Sequence, residues 1–392
     1  MGLAHSPRIV TDGLVFAMDG GNPDKSWKGK PTTNLTPDMQ LTGMGQGLTF
    51  TYVGLENGWK KYSINGTWTG GTYPYSFNIT SVAFTGGVTY SSGVFVKTNV
   101  PNKFATLFTG MNYVNEPKNI AGTSFSIAQP DGSFYVGRSG FQYTNTTTQP
   151  GYILSQPVIG QTFSSASDFV YIKDGQVETG SFSTPFTSGT RSNTQAIKDL
   201  TGQNTITATS LTYASNNTFS FNGSSDYITT PLSLGSTDPL VSINMWIKRT
   251  ASFSNAGYWG LGGGSSGNGI NGYTSAANKI GWDLWGLTTF HTGQDYPLNQ
   301  WVNVCWIKTA ASFTTSTLKV YINGIDFPLT TTVRNNSSSV NLATGFNVGR
   351  LAAGVSLYYA PGDVDVTGVY NRALSAEEVK QNFNALRGRY GI

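Results

Sequence analysis

Only 11% of the 392 residues are charged, whereas aromatics reach 13% and glycine occupies 48 positions. The net charge of +4 comes from 24 basic and 20 acidic residues scattered without a Lys or Arg run, which argues against a nucleic-acid partner. One cysteine, Cys305, and two histidines, His5 and His291, exclude an internal disulfide and a zinc site of Cys and His ligands.

Gly and Asn supply the positive φ angles of tight hairpins, and Thr, Tyr, Phe and Val suit a pleated, half-buried surface, so this composition predicts an all-β protein. The first residues, Met1 to Arg8, lack the basic-then-apolar pattern of a signal peptide, and no apolar run approaches the roughly 18 residues of a membrane span. The expectation is a chain that is neither exported by the usual route nor inserted in a membrane.

In chain order, Thr11 to Trp27 opens with one strand and a Gly-Asn-rich loop. Between Pro31 and Ser188, the segments Tyr90 to Lys97, Ser124 to Ala128, Ser133 to Gly137 and Asp168 to Lys173 alternate as strands separated by Gly, Asn or Pro. Phe219 to Ile228 gives two strands around a tight turn. Ser242 to Lys248 is a strand burying Ile243, Met245 and Ile247 or the opposite set. Trp301 to Ile307 alternates as a strand in which Cys305 is a small core residue rather than a nucleophile paired with His291. Thr317 to Gly324 ends in an Asn-Gly hairpin turn, and Gly362 to Tyr370 is a further strand. At the C-terminus Ser375 and Glu378 form a capping box for a helix that places Val379, Phe383 and Leu386 on one face.

The succession Phe219 to Ile228, Ile243 to Lys248, Trp301 to Val304, Leu318 to Gly324, Phe346 to Arg350 and Val369 to Glu378 resembles the concanavalin A-like, laminin G-type jelly roll. More narrowly it resembles the version found in virion proteins of tailed bacteriophages. Thr11 to Trp27 resembles the first strand of that family, and Ala196 to Asn204 resembles the segment that normally follows within a short loop. More than 150 residues intervene here, which implies a discontinuous domain, 1–30 plus 189–392, with a second domain, 31–188, inserted in an early loop. The ends of that insert, Thr33 to Asp38 and Gly175 to Phe186, together with Trp59, resemble a carbohydrate-binding-module jelly roll. The fold expected is therefore all-β, two β-sandwich jelly rolls and one short C-terminal helix.

Glucanases occur in this fold family, and a retaining glycosidase needs two carboxyl groups about 5 Å apart. Asp363 and Asp365, at i and i+2 of one strand, point to one face, but no Glu accompanies them. The plainer expectation puts Asp363 in a turn and Asp365 on nearby backbone or Arg372, and the chain is read as no enzyme. By resemblance to laminin G-type domains, Ca2+ at the sandwich rim implicates Asp19, Asn22 and Asp365 in the larger domain, with Asp38 and Glu178 in the insert. Otherwise Asp19, Asn22 and Asp24 shape their loop by Asx turns.

Sugar binding asks for exposed ring faces beside polar groups. Trp246, Trp301 and Trp306 alternate within strands and are expected in the core. Aromatics read as loop residues are the candidates: Tyr258, Trp259, Trp282, Trp285, Tyr358 and Tyr359, with Trp68, Tyr73 and Tyr75 in the insert. Gly260 to Gly269 lacks the Lys-Ser or Lys-Thr of a phosphate loop and reads as flexible. The function these readings imply is a non-enzymatic phage virion protein, a head or tail decoration or fibre component, acting as an adhesin. Its expected partners are other virion proteins, copies of itself in a homo-oligomer, and host cell-surface polysaccharide. An architectural protein without sugar binding and a glycan hydrolase are the alternatives.

Overall fold

The computed structural model describes residues 8–22, 25–43, 47–70, 75–113, 122–213, 218–235, 238–252, 256–263, 269–274, 278–284, 288–333, 342, 345–351 and 358–392. The fold is all-β, built of β-sandwiches with one short C-terminal helix. The chain divides into two compact units, Met1–Lys30 with Ser192–Ile392, and Pro31–Arg191.

In the discontinuous unit, one sheet runs in the order Thr212–Tyr213, Phe219–Asn222, Pro361–Tyr370, Val241–Arg249, Trp301–Lys308, Leu318–Ile322 and Ile325–Phe327, with Leu14–Asp19 also paired to Pro361–Tyr370. The facing sheet runs Thr207–Thr209, Tyr227–Thr230, Phe346–Val348, Ala256–Gly262, Gly269–Thr274, Lys279–Leu284, Thr288–Asp295 and Leu329–Val333. The two strands expected around the turn at Asn222 thus enter opposite sheets rather than forming a hairpin. Asn222 and Asp226 brace that turn by bonding its backbone amides. The Asn-Gly hairpin does form: Asn323 and Gly324 take φ of 50° and 80°, and Ile322 pairs with Ile325.

Val241–Arg249 is buried on both faces. Ile243, Met245 and Ile247 join the inter-sheet core, while Trp246 stacks on Tyr390 at 4.0 Å and Phe383 at 5.8 Å beneath the C-terminal helix. That helix, Ala376–Leu386, carries the Ser375–Glu378 capping box. Its packing also uses a polar residue that periodicity does not reveal. The buried Asn382 accepts from Val10 N at 2.7 Å and donates to Tyr370 Oη at 3.1 Å. Cys305 lies in this small cluster with Ile307, Leu374 and Val379, and burial pushes its thiol pKa up, as befits a core residue.

In the second unit, the larger sheet is ordered Thr162–Phe163, Trp59–Thr67, Phe169–Thr179, Thr89–Thr98, Phe134–Gln142 and Thr123–Ala128, with Leu48–Glu56 also paired to Trp59–Thr67. Leu41–Gly43, Tyr75–Phe84, Thr147–Pro157 and Phe104–Tyr113 form the second layer. Tyr62, Ile64, Val94, Val96, Val136, Val170 and Ile172 point into the core between them. Thr32–Thr33 pairs with Thr190–Arg191, so the two ends of this unit are zipped together. That pairing moves the second boundary from Ser188 to Arg191, and adjacent ends keep the loop-closure cost of such a segment low.

Candidate functional site

Most of the aromatics expected to meet sugar are structural. Tyr258 and Trp259 belong to a strand, not a loop, and Trp282 lies in the strand Lys279–Leu284; all three are buried in the inter-sheet core. Trp259 packs edge-on against Trp282 at 5.5 Å and Trp306 at 5.8 Å, an arrangement that leaves no ring face for a ligand. Trp68 is likewise buried in the core of the second unit. The glycines around these residues serve packing rather than loops: Gly257 and Gly272 are small because Leu351 and Trp259 lie over them. Trp285 and Tyr73 lie outside the described residues, as does the side chain of Tyr75. Tyr358 and Tyr359 reach the surface, with Tyr358 36% exposed.

Trp246 and Trp306 are core residues as expected, while Trp301 is half-exposed, under Lys248 and against Tyr390. Asp363 sits in a strand rather than a turn, bonded to Ser220 Oγ at 2.6 Å and Lys248 Nζ at 2.7 Å. Asp365 does not meet Arg372, which pairs instead with Glu378 and Asp12. Asp365 accepts from Gly21 N at 2.9 Å and Tyr390 Oη at 2.6 Å. Arg389 bridges Asp19 at 2.7 Å and Asp365 at 3.3 Å. Burial raises the Asp365 carboxyl above its ordinary range, and nearby Asp19 adds to that against the pull of Tyr390 and Arg389.

Asp19 and Asp365 do come together, but the cation between them is a guanidinium. Asn22 Oδ1 accepts from Lys25 N, three residues on, at 3.0 Å and so braces its own loop, while Asp24 lies outside the described residues. In the second unit Glu178 is saturated by Thr184 and Gln176, and Asp38 bonds Lys60 and Gln40. These carboxylates do not fit a calcium cage: Ca2+ takes six to eight oxygens, and here the oxygens are committed to protein donors. Among the described residues no three His, Cys, Asp or Glu side chains gather as metal ligands.

The surface best built for recognition lies on strands rather than loops: the outward face of the larger sheet in the second unit. With Val94, Val96, Val170 and Ile172 turned inward, strand alternation turns Phe95, Lys97, Phe169, Tyr171 and Lys173 outward. Cross-strand register then sets Lys61, Tyr171 and Lys97 in one row and Lys173, Phe95, Tyr135 and Ile127 in the next. Lys97 Nζ stands 4.3 Å above the Trp59 ring and 5.6 Å from that of Tyr171; Lys61 Nζ lies 4.0 Å above Phe169. Phe95 and Tyr135 pack at 4.7 Å with planes 37° apart. A Cβ at Gly93 would overlap the Tyr135 hydroxyl, so this glycine lets the ring lie down across the sheet.

The lysine stems roof the rings, leaving Trp59 and Tyr171 each 8% exposed. Two of the ammonium groups have carboxylate neighbours, Lys61 with Glu56 at 2.7 Å and Lys173 with Asp174 at 3.7 Å, while Lys97 has none within 4.0 Å among the described residues. A groove of about 150 Å³ lined by Met39, Leu55, Lys60, Lys173 and Phe186 adjoins the face at Lys173. Ring faces suited to sugar C–H surfaces thus lie beneath lysine stems whose ammonium groups are donors for hydroxyls. The signal was present in the sequence as Phe-Val-Lys and Phe-Val-Tyr-Ile-Lys, where both parities of a strand carry bulky residues.

No curated protein matches the chain. Among solved structures, domain 4 of AbnA, a GH43 extracellular arabinanase from Geobacillus stearothermophilus in complex with arabinotriose, is 17% identical. It covers 47% of this chain and 91% of that one, at a TM-score of 0.36. A SAP-like pentraxin from Limulus polyphemus is 14% identical over 41% of this chain and 78% of that one, at 0.32. The CBM40 of Ruminococcus gnavus IT-sialidase, bound to α2,3-sialyllactose, is 14% identical over 42% and 94%, at 0.33. Residues 222–380 match the family model of the concanavalin A-like lectin/glucanases superfamily, which places a lectin-like jelly roll in the discontinuous unit.

Proposed function

We propose that the protein is a non-enzymatic glycan-binding component of a bacteriophage virion, a head or tail decoration or fibre protein that holds host-surface polysaccharide. The observation that carries sugar binding is the outward face of Trp59, Phe95, Tyr135, Phe169 and Tyr171 interleaved with Lys61, Lys97 and Lys173. The virion role is supported by the phage-like succession of strands read from the sequence, and it implies assembly in the host cytoplasm. Sugars displace the lysine stems and stack on the rings beneath, and the ammonium groups turn to the hydroxyls. A non-enzymatic role is supported by Asp363 and Asp365, whose carboxylates are engaged by Lys248 and by Arg389 with Tyr390.

The test is titration of the full chain with isolated host-surface polysaccharide, with and without chelator, alongside an assay for released reducing sugar. Saturable binding that Tyr171→Ala or Trp59→Ala weakens by tenfold or more, about 1.4 kcal/mol, is expected. Chelator should leave it unchanged, since the candidate calcium ligands are already bonded. Binding that survives both substitutions removes this face as the site, and sugar release makes the protein a hydrolase. A purely architectural reading is favoured by one observation. Among the described residues the strand Leu48–Glu56 pairs on one side only, and it exposes Tyr52, Val53 and Leu55, the last 72% exposed, which suits contact with another subunit. A folded protein that sediments as an oligomer and binds no glycan would select that reading.

A further inference from the structure

The discontinuous unit carries an arginine with no carboxylate partner among the described residues. Arg350 follows the strand Phe346–Val348, and its guanidinium lies 3.5 Å from the ring centroid of Tyr227. Nε and Nη2 both donate to Asn347 Oδ1, at 3.4 and 3.2 Å. That leaves Nη1, with the second hydrogen of Nη2, as the free end of the fork. No carboxylate lies within 4.0 Å of it among the described residues, and the side chain is half-exposed. The neighbouring Asp226 turns its carboxyl to Asn222 N and Ser225 Oγ instead. Asn347 is fully buried, and orienting its oxygen toward Arg350 leaves Nδ2 without a hydrogen-bond partner. The reverse orientation would set an amide NH2 against guanidinium donors.

A purely structural arginine would gain most from a carboxylate of its own chain. This one has an aromatic bed and an amide brace, both of which fix the plane of the fork without neutralising it. Tyr359 packs at 6.3 Å against the other partner of the arrangement, Tyr227, and Tyr358 beside it is exposed with φ of 63°, an unusual conformation for a bulky residue. We propose that Arg350, seated on Tyr227, is a second sugar site and receives the carboxylate of an acidic sugar such as a uronate, whose ring face meets Tyr359 and Tyr358. The carboxylate takes the free end of the fork as a planar two-oxygen acceptor. This site is separate from the sheet face in the other unit and shares with the reading above only the class of partner, a sugar chain.

The full chain is titrated with oligogalacturonate, with its methyl ester and with a neutral glucan. Oligogalacturonate should bind, and its methyl ester, which keeps the sugar backbone and loses the charge, should bind at least tenfold more weakly. Arg350→Ala should remove that preference, and Arg350→Lys, which keeps the charge without the fork, should retain only part of it. Both variants should bind host polysaccharide at the sheet face as the parent does. If Arg350→Ala unfolds the unit, Arg350→Lys decides alone, because its charge and stem preserve the packing on Tyr227. Equal binding of acid and ester by the parent, or an acid preference that persists in a folded Arg350→Ala, overturns the proposal. Loss of host-polysaccharide binding in Tyr171→Ala with the acid preference intact would separate the two sites.

Discussion

Both units fill their cores with aromatic rings, and the second also lays a row of them along the outer face of a sheet. In the discontinuous unit Trp27, Trp246, Trp259, Trp282 and Trp306 are fully buried, packed edge-on or stacked within cores. In the other, Trp59, Phe95, Tyr135, Phe169 and Tyr171 line the outer face of a sheet beneath lysine stems. Aromatic count and neighbouring glycine are alike in both. What differs is the parity of each ring along its strand relative to the inward-facing aliphatic residues, and parity decides whether a ring stabilises the fold or can meet a ligand.

The largest effect expected from this contrast is on stability. Trp259→Ala opens a cavity among Trp282, Trp306 and Phe346 and should cost about 3–5 kcal/mol, read as a lowered denaturation midpoint of the full chain. Trp59→Ala removes a ring covered mainly by flexible lysine stems, so its cost should be clearly smaller while its loss of glycan binding is larger. Equal destabilisation by the two would mean that the outer rings are core residues in all but position.

Charge provides a second contrast, in pH. Burial alone would raise the Asp168 carboxyl in the second unit, but Lys103 at 2.6 Å, Ser164 N and Ser167 outweigh it and hold it below its ordinary 3.8. A carboxylate lowered on folding contributes stability that is present above 3.8 and lost as pH falls through its folded value. Asp365 in the other unit is raised by burial, so its contribution runs the other way and weakens as pH climbs from 3.8 through its folded value. Asp168→Asn should therefore cost about 1–3 kcal/mol near neutral pH and flatten the acid limb of the melting curve. Asp365→Asn should leave that acid limb in place. An acid limb unchanged in Asp168→Asn would break the assignment.

How much of this was legible in the sequence follows from the range of the signals. The capping box at Ser375, the Asn-Gly turn at Asn323 and the strand at Trp301 are local, and each forms where its residues place it. The burial of Tyr258, Trp259 and Trp282 depends on which sheet lies opposite, and flanking glycines made strands look like loops. Arg389 and Tyr390 meet Asp19 and Asp365 only through long-range packing, so a pair of carboxylates looked available to calcium when it was already partnered. The outward rings and lysines were readable by parity, but only once the inward set had been fixed.

The finest test uses the same substitution on both sides of the contrast. A Cβ at Gly272 would run into the indole of Trp259, and one at Gly93 into the hydroxyl of Tyr135. In the core the indole is hemmed by Trp282 and Trp306, so Gly272→Ala should cost about 1–3 kcal/mol through overpacking. On the outer face the phenol ring can lift into solvent, and alanine also disfavours the unfolded chain relative to glycine, so Gly93→Ala should stay within about 0.5 kcal/mol of the parent. Its consequence falls on binding instead. Once lifted, Tyr135 no longer lies flat beside Phe95, and affinity for polysaccharide should drop two- to fivefold, a difference that titration resolves and denaturation does not. A Gly93→Ala variant that loses stability as Gly272→Ala does would show that the outer rings pack as rigidly as the core.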